Sequence, residues 1–112
     1  KQEIKKVAPV AAPVSAGPIS HYAEDVTPIG SVQWRKRAQV QGKVTSIKPA
    51  PSSAAPVLEI ELWDESGGIT LQFLGRREIA GLEVGTELRA EGMVGEENGS
   101  LKILNPSYEL LA

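Results

Sequence analysis

Residues 57–74 read VLEIELWDESGGITLQFL, and apolar and polar side chains alternate along both halves of this stretch. Alternation with a period of two places every second side chain on the same face of a β-strand. The DESGG segment between the two halves has the glycines and polar residues of a turn. The stretch therefore predicts an antiparallel hairpin with one buried face. The side chains on that inner face are Leu58, Ile60, Leu62, Ile69, Leu71 and Phe73.

The same alternation recurs in the segments that flank the hairpin. Residues 38–47, AQVQGKVTSI, predict a first strand, in which Gly42 predicts a bulge or sharp bend. Residues 86–94, TELRAEGMV, predict a fourth strand, and residues 100–104, SLKIL, predict a fifth beyond an Asn-Gly turn. The inner-face residues of these strands are Ala38, Val40, Gly42, Val44, Leu88, Ala90 and Val94. On the outer face of the first strand we expect Gln39, Gln41, Lys43 and Thr45.

Five strands predict an all-β fold that closes into a barrel, because an open sheet of this size leaves its edges unpaired. Residues 75–85, GRREIAGLEVG, lie between the third and fourth strands and predict a short helix. A bent first strand and an insert at this position describe an OB-fold, a five-stranded barrel. A small open sandwich and an SH3-like barrel explain the position of the insert less well. The tail, residues 107–112, offers Tyr108 and Leu110 as a closing contact.

The first part of the chain has a different composition from the rest. Residues 7–19, VAPVAAPVSAGPI, contain three prolines and no charge, which suits an extended, semi-rigid segment. We therefore expect a Pro/Ala-rich arm over residues 1–33 and the barrel domain over residues 34–112. Because the chain begins with Lys1 and not with Met, we expect a fragment of a longer protein. A protein partner or a larger assembly that contacts residues 1–33 would explain an ordered arm.

Composition limits the function classes. The chain has 112 residues, a net charge of −2 and a sequence pI of about 5.4, so a nucleic-acid role requires local basic clusters and not overall charge. The absence of cysteine excludes disulfides and thiolate metal sites, and it fits a reducing, cytoplasmic location. No run approaches the ~20 apolar residues of a membrane span. His21 is the only histidine and lacks metal-ligand spacing, so we expect no metal, no cofactor and no enzymatic activity.

Two basic clusters and two tryptophans are the candidate binding residues. Trp34 precedes three cations, and aromatic rings interleaved with cations suit single-stranded nucleic acid; the alternative is a solvated strand entry. Since a hairpin brings the start of one strand near the end of the next, we expect this cluster to lie beside Trp63 and Asp64. The candidate nucleic-acid-binding residues are Trp34, Arg35, Lys36, Arg37, Lys43, Trp63, Arg76 and Arg77.

Arg76 and Arg77 follow the third strand, so we expect them near the loop of residues 48–56. They suit an ion pair, the phosphates of a nucleic acid, or an acidic protein partner. Glu59 and Glu61 lie on the outer face of the hairpin, where their charge would repel phosphates. That face is accordingly a poor single-strand groove, although OB-folds commonly bind oligonucleotides there.

Several motifs resemble a known family. They are W-D at 63–64, G-R-R at 75–77, I-x-G at 79–81 and N-P-x-Y-E-L at 105–110. Together they resemble the small stand-alone OB-fold proteins of actinobacteria, and more distantly the anticodon-binding OB domains and the wedge domain of branch-migrating helicases. The resemblance covers roughly residues 29–110. It implies an OB-fold and weak binding of single-stranded or structured nucleic acid.

Two functional hypotheses follow from these observations. The family resemblance favours a non-enzymatic OB-fold module that binds nucleic acid through the two basic clusters. The acidic composition, the acidic hairpin face and the arm favour a protein-interaction or scaffold subunit in a larger assembly.

Overall fold

The computed structural model describes residues 25–50 and 55–111. Residues 1–24, with most of the expected arm and His21, and residues 51–54 lie outside the described part. Two strands form the hairpin expected from the 57–74 stretch, and their Cα registers pair Leu58 with Phe73 and Leu62 with Ile69. The strands are β1 (Arg37–Pro49), β2 (Val57–Asp64), β3 (Gly67–Leu74), β4 (Glu87–Glu97), β5 (Ser100–Leu104) and β6 (Ser107–Leu111).

Five of these strands form a closed, barrel-like ring. The sheet order is β1-β2-β3-β5-β4-β6, and an additional pairing between β1 and β4 closes it. β1 has 13 residues and pairs with two neighbouring strands. Its first half pairs with β4 from Arg37 to Lys43, and its second half pairs with β2 from Lys43 to Pro49. β3 and β5 are parallel, whereas the other pairs are antiparallel.

The inner faces of the strands form the hydrophobic core, as the alternation predicts. Val40, Ile60 and Leu71 are fully buried. Phe73 and Tyr108 meet edge to face with their ring centroids 5.5 Å apart. The apolar inner-face residues predicted from the sequence are all buried, namely Ala38, Val40, Val44, Leu58, Ile60, Leu62, Ile69, Leu71, Phe73, Leu88, Ala90 and Val94.

The prediction of a short helix between the third and fourth strands is wrong. Residues 75–86 form turns, in which Leu82 N donates to Ile79 O at 3.1 Å and Thr86 N donates to Glu83 O at 3.0 Å. Gly75, Gly81 and Gly85 have φ angles of 78°, 82° and 99°. These left-handed residues interrupt the right-handed backbone of a helix at short intervals. Ile79 of this segment is buried in the core, and Leu82 packs partly buried against it.

The tail forms a sixth strand, where only a closing contact was expected. β5 and β6 lie one after the other along one side of β4. The pairing begins with Glu97 opposite Ser100 of β5 and ends with Glu87 opposite Leu111 of β6. Asn105, with φ 49°, interrupts them. The expected Asn-Gly turn between β4 and β5 is present, with Asn98 and Gly99 both at positive φ, as a tight hairpin requires.

The irregularity in β1 lies three residues beyond the expected position. The register with β2 slips between Val44 and Ser46 and not at Gly42. Gly42 is required for a different reason, because a Cβ there would collide with the carbonyl oxygen of Trp63. The bend is therefore carried by Thr45, and Gly42 permits close approach of β2.

The described part of the expected arm packs against the ring. Val26 forms a parallel bridge with Gln39, and Thr27 N donates to Gln39 O at 2.7 Å. A 3₁₀ turn over Ile29–Ser31 follows, and the Ile29 side chain is only 4% exposed. Residues 26, 27 and 29 thus pack against the ring, within the stretch that the sequence assigns to the arm.

Polar side chains on the outer face of β1, β4 and β6 are buried, which the alternation does not predict. Gln39, expected in solvent, is 4% exposed, and so is Arg89. Arg89 Nε and Nη2 donate to Gln41 Oε1 at 3.1 and 3.0 Å, and Arg89 Nη1 lies 3.7 Å from Glu109 Oε1. Because these three residues are direct neighbours across β1, β4 and β6, they form one polar row across the sheet.

Candidate functional site

The outer face of β2 and β3 carries two carboxylates that accept hydrogen bonds from neighbouring side chains. Gln72 Nε2 donates to Glu59 Oε2 at 2.8 Å, and Thr70 Oγ1 donates to Glu61 Oε2 at 2.8 Å. We call these four residues the β2–β3 face. Trp63 follows Glu61 on the outer face of β2 but lines a separate groove, whereas part of the β2–β3 face lines an open groove of about 670 Å³ toward the β4–β5 turn. There a hydrogen bond and the charge of Lys102 lower the pKa of Glu97.

Residues 34–37 present an aromatic ring and three cations to solvent at the start of β1, and we call them the basic turn. Trp34 is 50% exposed, and Arg35 Cζ lies 4.3 Å from the centroid of its ring, which is a cation–π contact. Lys36 and Arg37 are exposed. Within the described ranges, ion pairs join Arg89 to Glu109 and Lys102 to Glu97. The cations of the basic turn therefore have no carboxylate partner there.

The basic turn is anchored to β4 by backbone hydrogen bonds. Arg35 N donates to Val94 O at 2.8 Å, and Val94 N donates to Lys36 O at 2.9 Å. Arg35 has a φ of 72°, a left-handed conformation that costs an L-residue about 1–2 kcal/mol. Glycine would adopt this conformation without strain. Strained backbone of this kind clusters at functional sites, so the basic turn is a candidate binding element.

The prediction that the basic turn lies beside Trp63 is wrong. Trp63 pairs with Lys43, six residues along β1 from Arg37. At about 3.4 Å per residue the two sites are about 20 Å apart. The expectation assumed that β2 pairs with the start of β1, whereas β4 occupies that half. The two tryptophans therefore belong to separate surfaces.

Trp63 is 50% exposed and lies beside a glycine of the neighbouring strand. A Cβ on Gly68, its partner across the β2–β3 pair, would overlap the indole ring, so one side of the ring covers Gly68. Trp63 and Lys43 line an open groove of about 940 Å³ together with Asp64, Glu65 and Glu87. The carboxylates make this groove a poor site for phosphates.

Asp64 organises the turn after β2 and does not neutralise the basic turn. Its Oδ2 accepts from Ile29 N at 2.9 Å. Its Oδ1 accepts from Ser66 N at 2.7 Å, Ser66 Oγ at 2.6 Å and Gly67 N at 3.1 Å. Burial by itself would raise the pKa of Asp64, but the hydrogen bonds from Ile29, Ser66 and Gly67 outweigh it and lower the pKa.

Arg76 and Arg77 lie where the sequence places them, beside the loop between β1 and β2. They line a groove of about 400 Å³ with Pro49, Pro56 and Val57. Arg76 Nη1 donates to Tyr108 Oη at 3.4 Å. Burial raises the pKa of Tyr108, although the charge of Arg76 opposes the shift. Arg77 is exposed, and neither arginine forms an ion pair within the described residues.

The structure also brings together exposed apolar side chains that sequence reasoning did not assign to a site. Met93 is 52% exposed, Leu104 is 47% exposed and Leu74 is 48% exposed. They lie on the outer face of β4, β5 and β3, three neighbouring strands of the ring, and we call them the apolar strip. The alternation in the sequence predicts that each of these three residues points outward. Their adjacency depends on strand order, which the alternation does not contain.

Among the residues that the structure describes, no group of three or more His, Cys, Asp or Glu side chains is placed to hold a metal ion. No helix within the described ranges is both long and apolar enough to cross a membrane.

Comparisons with known proteins leave the family open. No protein-family model matches this chain, and the comparison with curated proteins gives no significant match. The resemblance to small stand-alone OB-fold proteins therefore stays a prediction.

Proposed function

We propose that this chain is an OB-fold module that binds single-stranded nucleic acid and performs no chemistry on it. The ring order β1-β2-β3-β5-β4 with closure onto β1 supports this assignment, since an OB-fold is a five-stranded barrel that commonly binds oligonucleotides. Residues 75–86, between β3 and β4, supply turns in place of the helix of the sequence prediction.

The basic turn is the observation that carries the proposal. Single-stranded nucleic acid is bound by aromatic rings that stack on bases and by cations along the backbone. Trp34 is half exposed, Arg35 stacks on it, and Lys36 and Arg37 extend the positive charge along the chain. The strain at Arg35 is accounted for if its guanidinium must reach both the indole and a phosphate.

The distribution of charge supports the same site despite the net charge of −2. On the β2–β3 face, Glu59 and Glu61 accept hydrogen bonds from Gln72 and Thr70. The cations of the basic turn lack such partners within the described residues. Three consecutive cations without an ion pair among the described residues thus lie at the basic turn, and Arg76 and Arg77 form a second such cluster.

A titration with fluorescein-labelled oligothymidylate tests the proposal. We expect binding that weakens with salt between about 50 and 200 mM, with a slope of about −0.7 per phosphate contacted. Trp34→Ala removes a stacking platform worth about 1–3 kcal/mol per base and should weaken binding at least about fivefold. Trp63→Ala is the matched control, because Trp63 is equally exposed but lies in the acidic groove.

Absence of binding at about 50 mM salt would contradict the proposal, since phosphate contacts are strongest there. Equal losses in the two tryptophan variants would contradict the assignment to the basic turn. If oligonucleotides fail to bind and a partner is captured only by chains that retain residues 1–33, the scaffold hypothesis replaces this one.

A further inference from the structure

We propose that the bound single strand runs from the basic turn across the apolar strip to Arg76 and Arg77. This inference rests on the proposed function and adds the path that the bound strand takes over the surface. The sequence predicts that the two basic clusters are separated by the acidic hairpin face. The structure offers a second route around the ring, which meets the β2–β3 face only at Gln72, the donor to Glu59.

Strand pairing defines this route step by step. Arg37 of the basic turn pairs with Met93 on β4. The β4–β5 register pairs Val94 with Ile103, so one further step places Met93 beside Leu104. Leu104 pairs with Gln72 on β3, and Leu74 lies two residues farther along the same face. Leu74 N donates to Asn105 Oδ1 at 2.9 Å, which holds β3 next to the end of β5.

The length of the route suits a short oligonucleotide. From Arg37 to Gln72 the path crosses three strand spacings, or about 14 Å, and Leu74 is about 7 Å beyond. Arg77 follows Leu74 by three residues, which adds at most about 10 Å. A path of about 30 Å corresponds to the lower end of the about 4–16 nucleotides that one OB-fold covers.

The chemistry of the route matches that of a single strand. Exposed apolar side chains in a contiguous patch mark an interaction surface, and the faces of nucleobases are apolar. We assign the bases to Trp34, Met93 and Leu104, and the terminal phosphates to the cations at each end. Glu91 faces outward two residues before Met93 and bounds the strip on one side. Contacts of this type are tolerant of sequence, so we expect little base preference.

A length series of labelled oligothymidylates tests the path. If the strand spans both clusters, affinity should rise at least about tenfold from the dinucleotide to the hexanucleotide and then change little. If the strand contacts only the basic turn, the increase should end at about two or three nucleotides. That outcome would overturn the path while the proposed function survives.

Substitutions at the far end of the route give a second, independent test. Arg76→Ala with Arg77→Ala should weaken hexanucleotide binding about tenfold and reduce the salt slope by about 1.4, which is two phosphates at about 0.7 each. Dinucleotide binding should not change. Because Arg76 contacts Tyr108, the melting temperature of this variant is measured in parallel. Unchanged hexanucleotide affinity in a folded variant would overturn the path.

The strip itself is tested with Leu104→Gln and Met93→Gln, which keep size but add polarity at exposed positions. Each should weaken hexanucleotide binding about fivefold. Val84→Gln is the matched control, since Val84 is 64% exposed and lies off the route. If no oligonucleotide binds, both proposals fail. If an acidic, leucine-containing peptide then binds and the strip variants abolish that binding, the strip is a peptide site and not a nucleic-acid path.

Discussion

The indole of Trp63 covers Gly68 because the two residues are direct partners in the β2–β3 pair. A glycine in a strand interior lacks a side chain to pack and usually weakens the strand. Here the large ring of the partner fills that space. The indole of Trp63 can therefore pack over this position only because Gly68 has no side chain.

Substitution of Gly68 tests this contact. Gly68→Ala should lower the free energy of unfolding by about 1 kcal/mol, at the low end of the cost of overpacking, because a half-exposed ring can rotate away. The measurement is urea unfolding, with near-ultraviolet circular dichroism to report the moved indole. Gly67→Ala is the control, because a Cβ there meets its nearest atom, Gly30 Cα, at an ordinary 3.5 Å. Equal effects in the two variants would contradict the contact.

At the scale of elements, Asp64 joins the β2–β3 turn to the 3₁₀ turn of residues 29–31. Its two carboxylate oxygens accept from donors on both elements. Asn offers only one acceptor oxygen and places an amide N–H against the other donors. Asp64→Asn should therefore cost about 1–2 kcal/mol, near the low end of the about 1.5–3 kcal/mol for hydrogen bonds to a charged group, because Asp64 is partly exposed. Glu65→Gln, at the exposed neighbouring position, should cost less than about 0.5 kcal/mol.

The contribution of Asp64 depends on pH. Because its pKa is lowered in the folded state, its stabilisation is fully present above the ordinary pKa of about 3.9 and is lost as the pH falls through the lowered value. The stability difference between the wild type and Asp64→Asn should therefore shrink between about pH 5 and pH 2. Urea unfolding at several pH values measures this difference. A difference that is constant over that range would contradict the assigned role.

For the molecule as a whole, the packed body begins before the ring. The Ile29 side chain joins the core, and residues 26 and 27 pair with β1. Ile29→Ala should lower the free energy of unfolding by about 2–4 kcal/mol, as for other buried isoleucines. Ser31→Ala, at an exposed position of the same turn, should be nearly neutral. A neutral Ile29→Ala would mean that residues 25–33 are dispensable for folding.

Much of the fold could be predicted because its main signal is local. The inner faces of β2 and β3, and the Asn98-Gly99 turn, follow from alternation and turn chemistry. The short helix failed because each glycine between residues 75 and 85 adopts a positive φ. Of the candidate site, the exposed basic turn and the position of Arg76 and Arg77 were predicted. The place of Trp63 was not, since the sequence does not show that β4 takes the first half of β1.

The sequence by itself determined which side chains of β2, β3, β4 and the first half of β1 face the core, because alternation encodes a face and needs no knowledge of neighbours. It also determined that Trp34 stands beside three cations. Only the tertiary structure decided which strands are adjacent, because pairing is made by residues far apart in the chain. Closure of β1 onto β4 separates the basic turn from Trp63 and brings it beside Met93. The apolar strip follows from the strand order β3-β5-β4, which the order along the chain does not show, and closure of the ring joins the strip to the basic turn.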